Sequence, residues 1–288
     1  MDKIIRCITS DGAVMASAID ASDIVFKAQK IHGLSRSATA ALGRLLCATS
    51  MMGAMLKQKD ASINLRVSGD GELGPVIAVA DSKGNVRGYV GNANCPTEYY
   101  NNGKINVSKA VGKNGVLNVM RDYGSGDPYI GQVELVSGEI AEDLTYYFAV
   151  SEQTPSSVGL GVLMNKDNTV RQAGGFIIQL MPDASEETIS ALEKRLAKVS
   201  SVTAMLDSGK TPEDILQELL GDMELAVLHR IAVSFKCGCS KERFARGIAS
   251  IKKSDIQEMI DAGENIETCC QFCNSKYVFT PDELKEMM

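Results

Sequence analysis

At 288 residues with 44% hydrophobic content, the chain can bury a substantial core and suits one large domain plus a small one, or two to three parts. A formal net charge of −6 and the absence of tryptophan work against a protein that must neutralise nucleic-acid phosphates, and no run of about 18 apolar residues offers a membrane span. The opening MDKIIRCITSDG alternates instead of setting a basic patch before an apolar stretch, so no signal peptide is expected and residence in the cytoplasm follows.

Ile4 to Ile19 reads as a hairpin, its apolar alternation interrupted by Ser10-Asp11-Gly12, whose Asp-Gly supplies a tight turn. Two helices follow: one capped by Ser22 and running to about Ile31, and one from about Ser35 to Lys57 with Leu42, Leu45, Leu46, Thr49, Met52 and Leu56 at helical spacing. Ala38, Ala40, Ala41, Gly43, Ala48, Gly53 and Ala54 let the second helix lie close against another surface. From Ala61 to Tyr123 the runs INLRVSG, GPVIAVADS, NVRGYVG and GVLNVMRDYG, separated by Gly, Asn and Asp turns, predict a sheet. Ile130 to Val136 extends it, Ala141 to Val150 predicts a helix, and SSVGLGVLMN and AGGFIIQLM supply two further strands before Pro182. A compositional shift comes there. Ser185 to Leu206 places Ile189, Leu192, Leu196, Val199, Val202 and Leu206 on one stripe of a single Ser-capped helix. Thr211, Pro212 and Gly221 mark the cap, first position and stop of the next helix, and Glu224 to Phe235 is of mixed helix or strand character. In the last fifth, helices are predicted around Lys241 to Ile251, from Ser254 with Gln257 as a capping-box pair, and from Thr280, Pro281 and Glu283.

The densest chemistry lies in that last segment. Cys237 and Cys239 form CxC in KCGCSKER, Cys270 and Cys273 form CxxC in CCQFC, and 30 residues separate the two pairs. That is enough chain to fold both pairs onto one tetrahedral thiolate site of the kind that holds structural zinc, with Gly238 allowing the tight turn between the first two thiols. Such a site is also two cysteine pairs close enough to become disulfides, which points to redox sensing. The register makes Cys269 no ligand, since Cys269 and Cys273 would be CxxxC. About 50 residues rarely bury enough surface to fold alone, so the metal is expected to supply much of this segment's stability. Of the remaining cysteines, Cys47 reads as a buried inert thiol, and Cys7 and Cys95 as packing or loop residues.

CGCS and CQFC followed by Tyr277 and Phe279, behind ALGRLL, GELGPVIAVAD, AEDLTYYFAVSEQTPS and AGGFIIQLMP, closely resemble the thirty-three-kilodalton heat-shock protein family of redox-regulated holdase chaperones. The resemblance spans nearly the whole chain. It implies an α+β protein in three parts: a sheet-rich N-terminal core domain (1–182), a helical linker region (183–235) and a small zinc-binding redox switch (236–288). It further implies that Cys237, Cys239, Cys270 and Cys273 hold one zinc ion when reduced. On oxidation they form two disulfides, zinc departs, the linker unfolds and unfolding client proteins are bound without ATP. The resemblance suggests a monomer when reduced and a homodimer when active.

Other readings have less support. An inert structural zinc is the ordinary fate of a four-thiol site. A zinc-ribbon adaptor for nucleic acid is opposed by the near-neutral last segment, with eight Lys and Arg against nine Asp and Glu from Lys236 to Met288. An enzyme would need a convergent nucleophile, base and orienting group, and His32 and His229, the two histidines, lie far apart. Glu142 and Asp143, or Ser151-Glu152-Gln153, read as a capped or solvated helix face, and the glycines of GDGELG and GNVRGYVG lack the Lys-Ser/Thr of a phosphate loop.

Overall fold

The computed structural model describes residues 1–199 and 201–288. It divides into two compact units, Met1–Lys236 and Cys237–Met288. The first opens with the predicted hairpin, β1 (Lys3–Thr9) and β2 (Val14–Asp20), then α1 (Ser22–His32) and α2 (Arg36–Ala54). A meander follows: β3 (Ser62–Ser68), β4 (Val76–Asp81), β5 (Val86–Val90), a short α3 (Val107–Val111), β6 (Val116–Asp122) and β7 (Tyr129–Glu134). Then come α4 (Ala141–Val150), β8 (Ser156–Met164), β9 (Val170–Leu180), α5 (Glu186–Leu196), α6 (Val202–Asp207), α7 (Pro212–Leu220) and β10 (Leu225–Ala232). The second unit contains α8 (Lys241–Ala249), α9 (Lys253–Asp261), β11 (Ile266–Cys269), β12 (Lys276–Phe279) and α10 (Pro281–Glu286).

Two five-stranded antiparallel sheets, in the orders β10-β1-β2-β9-β8 and β5-β4-β3-β6-β7, build the first unit. Helix α2 packs against strands of both, and all its residues except Arg36 and Arg44 are buried. A helix can be covered all round only if its partners come close, which explains its small residues. A Cβ on Gly43 would stand 2.6 Å from a Val162 methyl, and one on Gly53 would stand 2.6 Å from the Asp81 carbonyl oxygen. The first sheet is apolar on both faces. Ile4, Ile19 and Ile177 face the α2 core, while Ile5, Val14, Ala16 and Ile178 face a second apolar layer supplied by α5, α6 and α7.

Several expectations need correction. The stripe from Ser185 to Leu206 is carried by two helices. The Ser201 hydroxyl accepts the Ala204 N–H and starts α6 afresh. Leu192, Val202 and Leu206 nevertheless reach one apolar layer, because packing on the sheet needs the side chains on one surface and does not need an unbroken helix. Ser22 does not cap α1. The Asp2 carboxylate, on the residue before β1, does so, accepting the Asp23 and Ile24 N–H groups at 3.1 and 2.6 Å, while the Ser22 hydroxyl bonds Asp20. Ser254 and Gln257 form no capping box, since α9 starts at Lys253 and Gln257 reaches Asp261 instead. The mixed segment after Glu224 is strand β10, paired with β1.

The carboxylates weighed as acid and base groups have structural duties. Asp143 is fully buried and accepts four backbone N–H groups, from Val136, Ser137, Gly138 and Ile140, which holds Ile140 at φ 67°. Glu152 pairs with Arg121 and accepts the Tyr147 hydroxyl.

Candidate metal centre

The local backbone explains how each thiol is aimed. Cys237 and Cys239 lie in the irregular segment leading into α8, where the Ser240 hydroxyl caps the helix by accepting the Arg243 N–H. Arg243 returns a hydrogen bond to the Gly238 carbonyl at 3.1 Å, fixing the bend between the two thiols. Cys270 and Cys273 occupy the turn joining β11 to β12. The Cys270 N–H meets the Ser275 carbonyl at 2.9 Å, the Asn274 N–H meets the Cys270 carbonyl at 2.8 Å, and Asn274 takes φ 57° to close the turn.

These two segments bring all four sulfurs within 4.8 Å of one another. Cys237 Sγ lies 3.7 Å from Cys270 Sγ, and Cys239 Sγ lies 3.3 Å from Cys273 Sγ. Four sulfurs at zinc–thiolate bond length around one ion would stand roughly 3.8 Å apart, so the shell has the size of a tetrahedral site. The donors around it also suit anionic sulfur. Backbone N–H groups of Cys239 serve Cys237, those of Phe272 and Cys273 serve Cys270, and the Tyr277 hydroxyl donates to Cys239 Sγ at 3.1 Å. Among the described residues this is the one group of three or more His, Cys, Asp or Glu side chains with metal-binding geometry.

The thiols differ in how readily they ionise. Burial pushes the Cys237 thiol up to about 12 and raises Cys270 as well. Burial opposes ionisation of Cys273 too, yet hydrogen bonds from the Ser275 side chain and backbone bring its thiol down to about 7. Four thiolates packed this closely need a bound cation, and the donor set is that of a soft or borderline metal, zinc foremost. The apolar core beside the site is thin: Ile248, Ile256, Phe279 and Leu284 are its buried members, with the Phe244 and Tyr277 rings 5.1 Å apart at its edge.

Cys269 is exposed and outside the cluster, because it ends β11 while Cys270 turns inward. Cys269→Ser is therefore expected to leave zinc stoichiometry unchanged. Loss of stoichiometric zinc in that variant, measured by chelator titration, would show the ligand register to be displaced by one. Cys47 is buried as expected, and Cys7 and Cys95, read as packing or loop residues, are buried as well. Burial, with Glu213 nearby, pushes the Cys7 thiol up to about 11, and burial likewise raises Cys47 and Cys95, leaving all three poor nucleophiles. The contact of Tyr277 with Cys239 had no signal in the sequence, where Tyr277 is only an aromatic residue following the CQFC motif.

A sheet-rich α+β unit joined to a small module built around four converging thiols defines a protein whose second unit is organised by a metal-compatible cysteine shell. Residues 2–280 match the family described as Hsp33 protein. Proteins named 33 kDa chaperonin from Lachnoclostridium phytofermentans and Bacillus subtilis are 50% and 46% identical to it, over 100% and 99% of this chain and 98% and 97% of theirs. The crystal structure of the heat shock protein 33 homolog from Thermotoga maritima superposes with a TM-score of 0.90 at 35% identity, covering 99% of this chain and 97% of that one. The chain belongs to the Hsp33 family of chaperones. Among its described residues no helix is long and apolar enough to cross a membrane.

Proposed function

We propose that this protein is a redox-regulated, ATP-independent holdase of the cytoplasm, with a core domain (1–182), a linker region (183–235) and a switch (236–288) that Cys237, Cys239, Cys270 and Cys273 control. The observation that carries the reading is the convergence of four sulfurs within 4.8 Å in a module with little apolar core of its own. A zinc ion held there supplies positive charge that keeps the thiols ionised at neutral pH and cross-links the two ends of the module.

The cysteines perform the redox step. One sulfur attacks an oxygen of hydrogen peroxide, the O–O bond breaks, and hydroxide leaves to become water on taking a proton. The resulting sulfenic acid is attacked by a second thiolate, its S–O bond breaks, and a second hydroxide leaves as water. Two sulfurs thus lose two electrons and peroxide gains them. Disulfides within the CxC and CxxC motifs consume all four ligands, and the module loses its main cross-link. Closing a disulfide between Cys237 and Cys239 makes a very short, strained ring, so Cys270 and Cys273 are expected to join first. The buried thiols of Cys7, Cys47 and Cys95 stay out of the chemistry.

Unfolding of the linker then exposes the apolar side chains of α5 to α7, Leu192, Val202, Leu206, Ile215 and Leu219 among them, to unfolding clients. Light scattering of a thermally unfolding client tests this directly. Peroxide-treated protein is expected to suppress aggregation near stoichiometry and reduced, zinc-loaded protein to leave it unaffected. Equal suppression by both forms would separate the chaperone activity from the thiols.

A further inference from the structure

We propose that Tyr277 is a positioning residue that restrains Cys239, so that its hydroxyl delays attack of peroxide at that sulfur; the inference rests on the redox-switch reading above. The phenol is held in place from several directions. Its hydroxyl donates to Cys239 Sγ at 3.1 Å, its ring packs on Phe244 of α8 with centroids 5.1 Å apart, and its carbonyl accepts the Thr268 hydroxyl at 3.2 Å across the β11–β12 pair. The contact is therefore built by a helix and a hairpin together.

A hydrogen bond donated to a thiolate draws on the lone pair that must attack the peroxide oxygen, so the sulfur that receives it is the weaker nucleophile. The four sulfurs are unequal in this respect. Cys270 receives backbone N–H groups from Phe272 and Cys273 and no hydroxyl. Cys273 has the Ser275 hydroxyl at 3.3 Å, but Ser275 is exposed and its rotor is free to turn to water. A phenol, with an ordinary pKa of about 10, is a stronger donor than an alcohol, and that of Tyr277 is fixed by its ring. Cys239 is thereby the sulfur the phenol protects, while Cys237, Cys270 and Cys273 have no such fixed hydroxyl on them. Ring strain disfavours closing the first disulfide at CxC, whereas the Tyr277 bond lowers the initial attack there, and the two effects can be told apart by experiment.

The test uses the full-length, zinc-loaded protein and Tyr277→Phe, which keeps the ring against Phe244 and removes only the hydroxyl. Zinc release is followed with a chromogenic chelator, with and without hydrogen peroxide, and thiols trapped at intervals are mapped by mass spectrometry. The expected result is peroxide-dependent zinc release about tenfold faster, the lower end of what removal of an outer-shell partner does. Cys239 should also be modified as early as Cys270 and Cys273, and Ser275→Ala should change neither quantity to that extent. An unchanged order of modification overturns the proposal, including the case where zinc is lost faster both with and without peroxide, which marks Tyr277 as structural only. If the wild-type protein keeps its zinc in peroxide, the switch itself is absent and the role of Tyr277 falls with it.

Discussion

Replacing Cys270 with serine is expected to abolish stoichiometric zinc binding and to loosen residues 237–288 while leaving the core domain, residues 1–182, folded. Cys270 is the most buried of the four cysteines, 5% exposed, and its sulfur sits in the turn whose backbone N–H groups point at it. A serine hydroxyl keeps its proton at neutral pH and offers no comparable ligand, so the shell falls to three thiolates around one ion. The consequence for folding is large because the module has little else. Its buried apolar members are Ile248, Ile256, Phe279 and Leu284, whereas structural zinc contributes on the order of 10 to 16 kcal/mol in isolated zinc peptides. The core domain has two sheets and a buried helix between them, a far larger apolar cluster with no thiol shell in it, and is expected to stay folded without the metal. Chelator titration reads the first effect and amide exchange the second. Full zinc retention by Cys270→Ser would exclude the ligand assignment.

Peroxide treatment under mildly unfolding conditions is expected to release zinc, to strip exchange protection from residues 237–288, and to extend that loss through α5, α6 and α7. The first part is linkage: the metal binds the reduced, folded module and not its disulfide form, so oxidation removes several kcal/mol from a unit with a thin core. The second part follows from how lightly α5 and α6 are built; α7, which buries Ile215, Leu216, Leu219 and Leu220, packs against both and loses those neighbours. Of the eleven residues of α5, Leu192 alone is buried, and α6 has six residues, lengths at which isolated helices are marginal in water. Helix α2 and strands β3, β4 and β6 should keep their protection, since their side chains fill the largest cluster. Exchange measured before and after oxidation decides between two sites of client binding. If residues 183–288 stay as protected as in the reduced protein while aggregation is suppressed, clients bind the core domain and the linker is not the switch.

The elements that could be read in the chain are those whose cause is local. Asp11-Gly12 makes its turn, Thr211 with Pro212 and Asp214 opens α7, Thr280 with Glu283 opens α10, and each depends on residues within about four positions of one another. The four-cysteine site was legible for a related reason: thiols in two short motifs carry their chemistry with them, and a tetrahedral shell admits few other arrangements. The overlooked hairpin of β11 and β12 has strands of four residues, too short for alternation to declare itself. Tertiary structure decided the rest. Whether Leu225–Ala232 became helix or strand was settled by β1, whose free edge it pairs with from over 200 residues away in sequence. The cap of α1 comes from Asp2 because the residue before β1 brings a carboxylate to the helix start, and the break between α5 and α6 is tolerated because both halves lie on one sheet face. The bond from Tyr277 to Cys239 spans 38 residues. Local patterns specify backbone geometry and residue chemistry, whereas strand partners, borrowed caps and the donors around each sulfur depend on which distant segments meet, and only burial of the shared apolar surfaces brings those segments together.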